Sequence, residues 1–345
     1  MTELTPVPAS SGVVVPTAPV PLPAALADGL RVAADAHAES LRPVNTTRSY
    51  GSDWRTWSTW CADVAGVSEW SVDASLLEAY CRWMWHERGY AASTIERKLT
   101  GVIAGLRRQF GPDAVPRYLT GRARANLAAY VRDSAADKQP KRGRGQAPAA
   151  DLTVLERLLV AARADPGPAG ARDAALILIT FGAGCRSVET AGLLAGDVVV
   201  DGDRGLLVDI RSSKVASSVR VAAIPRGVRG STDPVIAWRM WFAVSGLEPG
   251  DPAFCRIRKG GRILPGTGLS PEAVSDVIAR RSQQADLDRH TAHSLRAGMA
   301  TVARQAGHDA VAIAAQGGWT PGSRAMSGYL RRVDTWTDNA MRGVL

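Results

Sequence analysis

The sequence predicts a mainly α-helical fold in two parts, an N-terminal helical bundle and a C-terminal α+β domain with a small antiparallel sheet. Three observations carry that prediction. Apolar residues recur at steps of three and four through 27–137. A basic run rich in Pro, Gly and Ala, KQPKRGRGQAPA at 138–149, then interrupts every period and reads as a linker. Beyond it, in 150–345, the step becomes two over one short region near 206–225 and reverts to three and four afterwards.

Taken in order, residues 1–26 are broken by repeated proline and carry no basic leader, so they read as a disordered tail and not as a signal peptide. Tyr50, Trp54, Trp57 and Cys61 then lie on one apolar helix face, with Thr46 and Thr47 as caps. Helices follow over DASLLEAYCRWMWHERGY, stopped at Gly89, over AASTIERKLTGVIAGLRRQFG, and over RARANLAAYVRDSAAD. Trp54, Trp57, Trp60 and Trp70 read as the core of this bundle and not as a platform for stacking bases.

After the linker, DLTVLERLLVAARA and GARDAALILITFGAG predict two helices. LLVDIRSS and SVRVAAIP predict two strands around the turn SKVAS, with a further turn at DGDRG. Helical periods return in DPVIAWRMWFAVSG, SPEAVSDVIARRSQQ and HTAHSLRAGMATVARQAG.

The formal charge is +9, and only five residues of the basic excess are lysine. Arginine meets phosphate with a two-pronged fork, so a polyanionic partner is favoured. No apolar run reaches the roughly 20 residues of a membrane span. Cys61, Cys81, Cys185 and Cys255 are widely separated and form no CxxC pair, which argues against a zinc cluster or a disulfide framework and fits the cytoplasm.

The chemistry-bearing residues all follow the linker. Arg186 sits past a Gly-rich break, with Glu189 one helical turn on to fix its guanidinium. Lys214 occupies the turn between the strands, and His293 and Arg296 share a helix face. Trp319 follows two glycines. Tyr329 is the one tyrosine beyond the linker, since Tyr50, Tyr80, Tyr90, Tyr118 and Tyr130 all precede it. A phenol attacking a phosphodiester builds up a dianionic phosphorane, which two guanidiniums stabilise. The phenol needs a base, for which His293 is the candidate, and the leaving 5′ oxygen needs a proton, which Lys214 can bring. That chemistry calls for neither metal nor cofactor, and no metal-site spacing is present.

In this order, Arg186 with Glu189, Lys214 in a β-turn, HSLR at 293–296, Trp319 in GGWT and Tyr329 resemble the tyrosine recombinase (phage integrase) family. FCRIRKGG at 254–261 and WRTWSTWC at 54–61 extend the likeness, and Trp319 stands where most of the family has histidine. The resemblance implies a helical, SAM-like core DNA-binding domain over 27–137 and a catalytic domain over 150–345. It further implies a C-shaped clamp on duplex DNA bearing paired inverted repeats, a monomer in solution that forms a homotetramer on DNA, 3′-phosphotyrosine links and a Holliday junction. The segment 333–345 is the implied helix that docks into a neighbouring protomer. Arg97, Lys98, Arg107 and Arg108 in the bundle, and Lys141, Arg142 and Arg144 in the linker, are the candidate DNA contacts.

Competing readings are a type IB topoisomerase with the same chemistry, an accessory DNA-binding protein, and a metal-dependent nuclease. The segment after Tyr329 argues against the first, the full reactive set against the second, and the lack of clustered carboxylates against the third.

Overall fold

The structure is a computed structural model that describes residues 22–41, 44–111, 114–137, 148–211, 219–320 and 322–330. The chain divides into two compact units, Met1–Gly143 and Arg144–Leu345.

In the first unit, α1 (Ala24–Ser40) is exposed at its described positions except the half-buried Ala27, and begins inside the segment expected to lack structure. Next, α2 (Val44–Trp60) runs on into a π turn, Cys61–Ala65, closed by Gly66 at φ +66°. Thr46 and Thr47 therefore lie within the first turn of α2 and do not cap it. The remaining helices are α3 (Ala74–His86), α4 (Ala92–Phe110) and α5 (Gly121–Ala136). Asp73 caps α3 by accepting the backbone N–H groups of Ser75 at 2.7 Å and Leu76 at 3.0 Å.

α2 packs on α4 and α3 on α5, closing a core of Trp57, Leu77, Tyr80, Met84, Ile95, Leu99 and Leu106. Trp57 and Trp60 are buried as expected, but Trp70 is 40% exposed and lies on Trp54 with ring centroids 4.8 Å apart. Gly105 makes room for that pair, because a Cβ there would fall 2.3 Å from the Trp54 ring.

In the second unit, α6 (Leu152–Arg163), α7 (Pro168–Gly182) and the short α8 (Ser187–Ala191) precede the sheet. The strands β1 (Val198–Asp201), β2 (Gly205–Arg211) and β3 (Val219–Pro225) form an antiparallel sheet in that order, with Val208 opposite Ala222. After α9 (Pro234–Ser245) comes a second hairpin, β4 (Cys255–Ile257) and β5 (Ile263–Gly268). The chain's apolar alternation is too short there to signal a hairpin. Then come α10 (Pro271–Gln284), α11 (Ala292–Gln305), α12 (Ala310–Gly317) and α13 (Arg324–Leu330).

α7 is apolar on every side from Ala174 to Ile179, so it is the central helix, packed by α6, α9 and α11. Its one buried carboxylate, Asp173, accepts from Arg172, Arg280 and Arg281 at 2.7–2.9 Å, which ties α7 to α10. Burying a carboxylate that deep is costly unless cations pair with it, as these arginines do. Among the described residues no helix is long and apolar enough to cross a membrane.

Candidate active site

The site is built on two loops that glycine lets approach each other. One leaves α7 through Gly184 (φ +58°) to Arg186, and the other leaves α12 through Gly317 and Gly318 to Trp319. A Cβ at Gly184 would lie 2.4 Å from the Met299 methyl and 3.2 Å from the Gly317 Cα, and one at Gly317 would lie 1.9 Å from the Trp319 ring. A side chain at 184 would crowd the Gly317 backbone of the other loop, and one at 317 would displace the Trp319 ring.

Arg186 is the N-cap residue of α8, and Glu189 holds it twice. The Glu189 carboxylate accepts the Arg186 backbone N–H at 2.9 Å and pairs with the guanidinium. Glu189 is 6% exposed whereas the Arg186 side chain is 44% exposed, so a buried carboxylate orients a cation that still reaches solvent.

Arg296, on α11, is buried. One terminal nitrogen donates to the carbonyls of Gly184 and Gly317, bridging the two loops, and its guanidinium carbon stands 3.8 Å from the centre of the Trp319 ring. Its other terminal nitrogen, Nη2, is buried with no hydrogen-bond partner among the described residues. A buried N–H without an acceptor is costly, and a guanidinium N–H more so. Burial, then the nearby charge of Arg186, pushes the Arg296 pKa down to about 10, which leaves it a cation at neutral pH.

His293 lies one turn before Arg296 on α11 and keeps solvent exposure. Its Nε2 is 2.8 Å from the phenolic oxygen of Tyr329. Desolvation, followed by the charges of Arg296 and Arg186, holds its pKa below the ordinary histidine value. The imidazole is therefore neutral at pH 7 and can accept a proton. Tyr329, on α13, is 3% exposed and packs with Trp319, Met326 and Met299 in a cluster on α11 and α12. Trp319 lies 5.8 Å from Tyr329 between ring centroids, so it braces Arg296 with its face and the phenol from the side.

Five sequence-predicted residues, Arg186, Glu189, His293, Arg296 and Tyr329, thus come together around Trp319. Lys214 lies outside the described residues. Two residues that sequence reasoning missed join them. Arg220 on β3 donates to the carbonyls of Ala183 (2.9 Å) and Gln316 and stands 3.4 Å from Glu189. The Gln316 side chain donates to Gly182 at 2.8 Å and Ala223 at 2.9 Å. A signal for Arg220 was available, since it shares strand parity with the buried Ala222 and Ile224. Cys185, between the loops' cations, has its thiol pushed up to about 12 by burial and stays a neutral spacer.

Chemically, the arrangement is a phenol hydrogen-bonded to a neutral base, beside guanidiniums of which one has a buried N–H to spare. Arg186 and Arg220 pair with the carboxylate of Glu189 and Arg296 lies within its field, so three guanidiniums share one carboxylate and the local charge stays positive and suited to an anion.

The family model described as the phage integrase family matches residues 151–334, a span that holds Arg186 through Tyr329. The chain belongs to the phage integrase family. Members of this tyrosine recombinase family break and rejoin DNA strands, so the protein is an enzyme of that class. The chain is 30% identical over 285 residues to tyrosine recombinase XerC 2 of Ralstonia nicotianae, covering 80% of this chain and 74% of the relative. It is 25% identical over 312 residues to an integrase/recombinase xerD homolog of Selenomonas ruminantium, covering 88% and 86%. Among solved structures, the Tn1549 transposon integrase in complex with a circular intermediate DNA matches with a TM-score of 0.59 at 16% identity, over 91% of this chain and 98% of that one. A lambda integrase tetramer bound to a Holliday junction matches with a TM-score of 0.57 at 13% identity, over 88% and 76%. At such identities these structures speak for the fold alone, a helical chain with a small antiparallel sheet.

The bundle's candidate DNA contacts divide by burial. Lys98 is turned inward, 6% exposed, with Nζ 2.9 Å from Thr56 Oγ1, 3.4 Å from the buried Asp53 and over the Tyr90 ring. It is an internal counter-ion, contrary to the expected phosphate contact, because Asp53 is fully buried and needs a cation. Arg97 also pairs with Asp53 but stays 44% exposed. Arg107 donates to the Val115 carbonyl at 2.8 Å, and Arg108 is exposed. Lys141, Arg142 and Arg144 lie outside the described residues.

Proposed function

We propose that this integrase family member is a site-specific recombinase that cuts one DNA strand at a time through Tyr329. The phenolic oxygen attacks the scissile phosphorus, the P–O5′ bond breaks, and the strand's 3′ phosphate becomes esterified to Tyr329. The phenolic proton passes to His293 Nε2, and the departing 5′ oxygen takes a proton from Lys214. Arg186 and Arg296 hold the non-bridging oxygens as charge builds on them, with Glu189 and Trp319 positioning the two cations. In the second half, the 5′ hydroxyl of another strand attacks the phosphotyrosine, releases the phenol and rejoins the DNA. Neither a metal nor a nucleotide is consumed in this exchange. The observation that carries the proposal is the 2.8 Å contact between the Tyr329 oxygen and His293 beside the partnerless Nη2 of Arg296.

By the same reading, residues 27–137 are a core DNA-binding domain, 138–149 a basic linker and 150–345 the catalytic domain, with Arg97, Arg107, Arg108 and the linker cations on phosphates. The substrate is duplex DNA with paired inverted repeats. A monomer in solution assembles into a tetramer on two sites and passes through a Holliday junction; the helix expected to dock between protomers, 333–345, lies outside the described residues. The lambda integrase tetramer seen on such a junction supports this assembly by similarity of fold.

The test uses a duplex enriched on the immobilised protein from a random inverted-repeat library, nicked near the cleavage position to trap the intermediate. Incubated in EDTA, the protein should become covalently linked to DNA through the peptide holding Tyr329, and Tyr329→Phe should bind the duplex but give no link. A link at another residue, or one that requires magnesium, refutes the mechanism.

A further inference from the structure

We infer that Arg220 is a positioning residue for strand cleavage, setting where Arg186 and Trp319 stand without itself touching DNA. The inference rests on the function proposed above.

β3 is an edge strand whose exposed and covered residues alternate. Val219, Val221 and Ala223 face out, while Ala222 and Ile224 are buried on the side that Arg220 shares. An arginine on the covered face has to find acceptors. Those it finds belong to the two loops of the site. Arg220 donates to the carbonyls of Ala183 and Gln316, and Arg296 donates to those of Gly184 and Gly317.

The two guanidiniums therefore form successive rungs between the same loops. Residues 183 and 316 are on one rung, and 184 and 317 are on the next. Two residues beyond the second rung lie Arg186 on one loop and Trp319 on the other. Gln316 adds a third tie, from its side chain to Gly182 and to Ala223 of β3.

Two further features mark the position. Gly318, at φ +63°, lies so near Arg220 that a Cβ there would stand 2.6 Å from Nε and 2.9 Å from Cδ. No side chain at 318 fits while Arg220 holds its place. Arg220 also reaches Glu189 at a loose 3.4 Å, whereas the Arg186 backbone N–H meets the same carboxylate at 2.9 Å. Its main bonds are thus to loop carbonyls, so its chief effect is on loop position. A displacement on the order of 1 Å at a phosphate-binding cation can cost about 10²-fold in rate.

The experiment compares the full-length parent with Arg220→Ala, Arg220→Lys and Gly318→Ala on the enriched nicked duplex. Three scissile linkages are used: an ordinary phosphodiester, an uncharged methylphosphonate and a 5′-thio-bridged phosphate. Binding, melting temperature and the single-turnover rate of covalent linkage are measured for each protein. Arg220→Ala should bind as the parent does and link about 10²-fold more slowly. Arg220→Lys should recover part of the rate, since an ammonium can keep one carbonyl but not bridge two, and Gly318→Ala should mimic Arg220→Ala. The deficit should shrink on methylphosphonate, which asks less of Arg186, and persist on the 5′-thio linkage, which needs no proton donor.

A parental linking rate in Arg220→Ala overturns the inference. An equal deficit on all three linkages overturns it as well, because a merely loosened fold does not distinguish them. Rescue by the 5′-thio linkage alone would assign the effect to Lys214 instead. Should the parent form no link on any of the three, it is the strand-cleavage reading that fails, a result distinct from these.

Discussion

In the proposed cleavage Tyr329 attacks only if its proton has somewhere to go, and His293 is the group proposed to take it. Because burial and two guanidiniums lower the His293 pKa, the imidazole stays neutral to a more acid pH than an ordinary histidine does. The second-order rate of covalent linkage reports the free enzyme. Its acid limb should fall below the usual value of about 6.5, with no gain from this group as pH rises through neutrality. An acid limb above that value, followed by pH-resolved single-turnover assays, would remove His293 as the base. Lys214→Ala should slow linkage on an ordinary phosphodiester and recover on a 5′-thio-bridged one, whose leaving group needs no proton. Absence of recovery in the same assay excludes the general-acid role. Trp319→Ala should impair linkage more than Trp319→His does, since the indole face carries the Arg296 guanidinium and flanks Tyr329.

Among the elements, the catalytic unit depends on α7 and on what keeps it in register with α10. Asp173 accepts from three arginines, so Asp173→Ala strands cations in a low-dielectric core and should destabilise the unit by about 3–5 kcal/mol. Denaturant unfolding followed by circular dichroism measures it. Trp57→Ala in α2 should cost a similar ~3–5 kcal/mol through the cavity it leaves. At this scale the chain is largely legible. The apolar steps in 50–61, 73–90 and 91–111 are those of α2, α3 and α4, and the period-two region is that of β2 and β3. The β4–β5 hairpin is not legible, since its three-residue β4 is too short to show a period. Nor are the caps at Thr46 and Thr47, because α2 starts earlier, at Val44. Lys98 misled for a related reason. A charge run on a helix reads as a solvated face until a buried carboxylate on another helix, Asp53, claims one of its members.

For the whole molecule, an excess of arginine over carboxylate should make DNA affinity fall steeply as salt rises, with a log–log slope of about −0.9 per phosphate contact. Gel shifts of Tyr329→Phe across a salt series give that slope without cleavage. Exposed Arg108 changed to Ala should lower the slope by about one contact, whereas Lys98→Ala should act on the stability of the bundle.

The sequence by itself determined the helical class with its small sheet and the likeness to the recombinase family, and it supplied the candidates for the reacting residues in their order. Each of these is local, a period or a residue type at a spacing, and a chain carries such information without folding. Only the tertiary structure decided that Arg296 lays its guanidinium on Trp319 with one N–H left over, that Lys98 turns inward, and that Arg220 and Arg296 bridge consecutive carbonyls of two loops. Backbone carbonyls are the same at every residue. Which of them a guanidinium reaches depends on segments distant in the chain, and no spacing in the sequence records it.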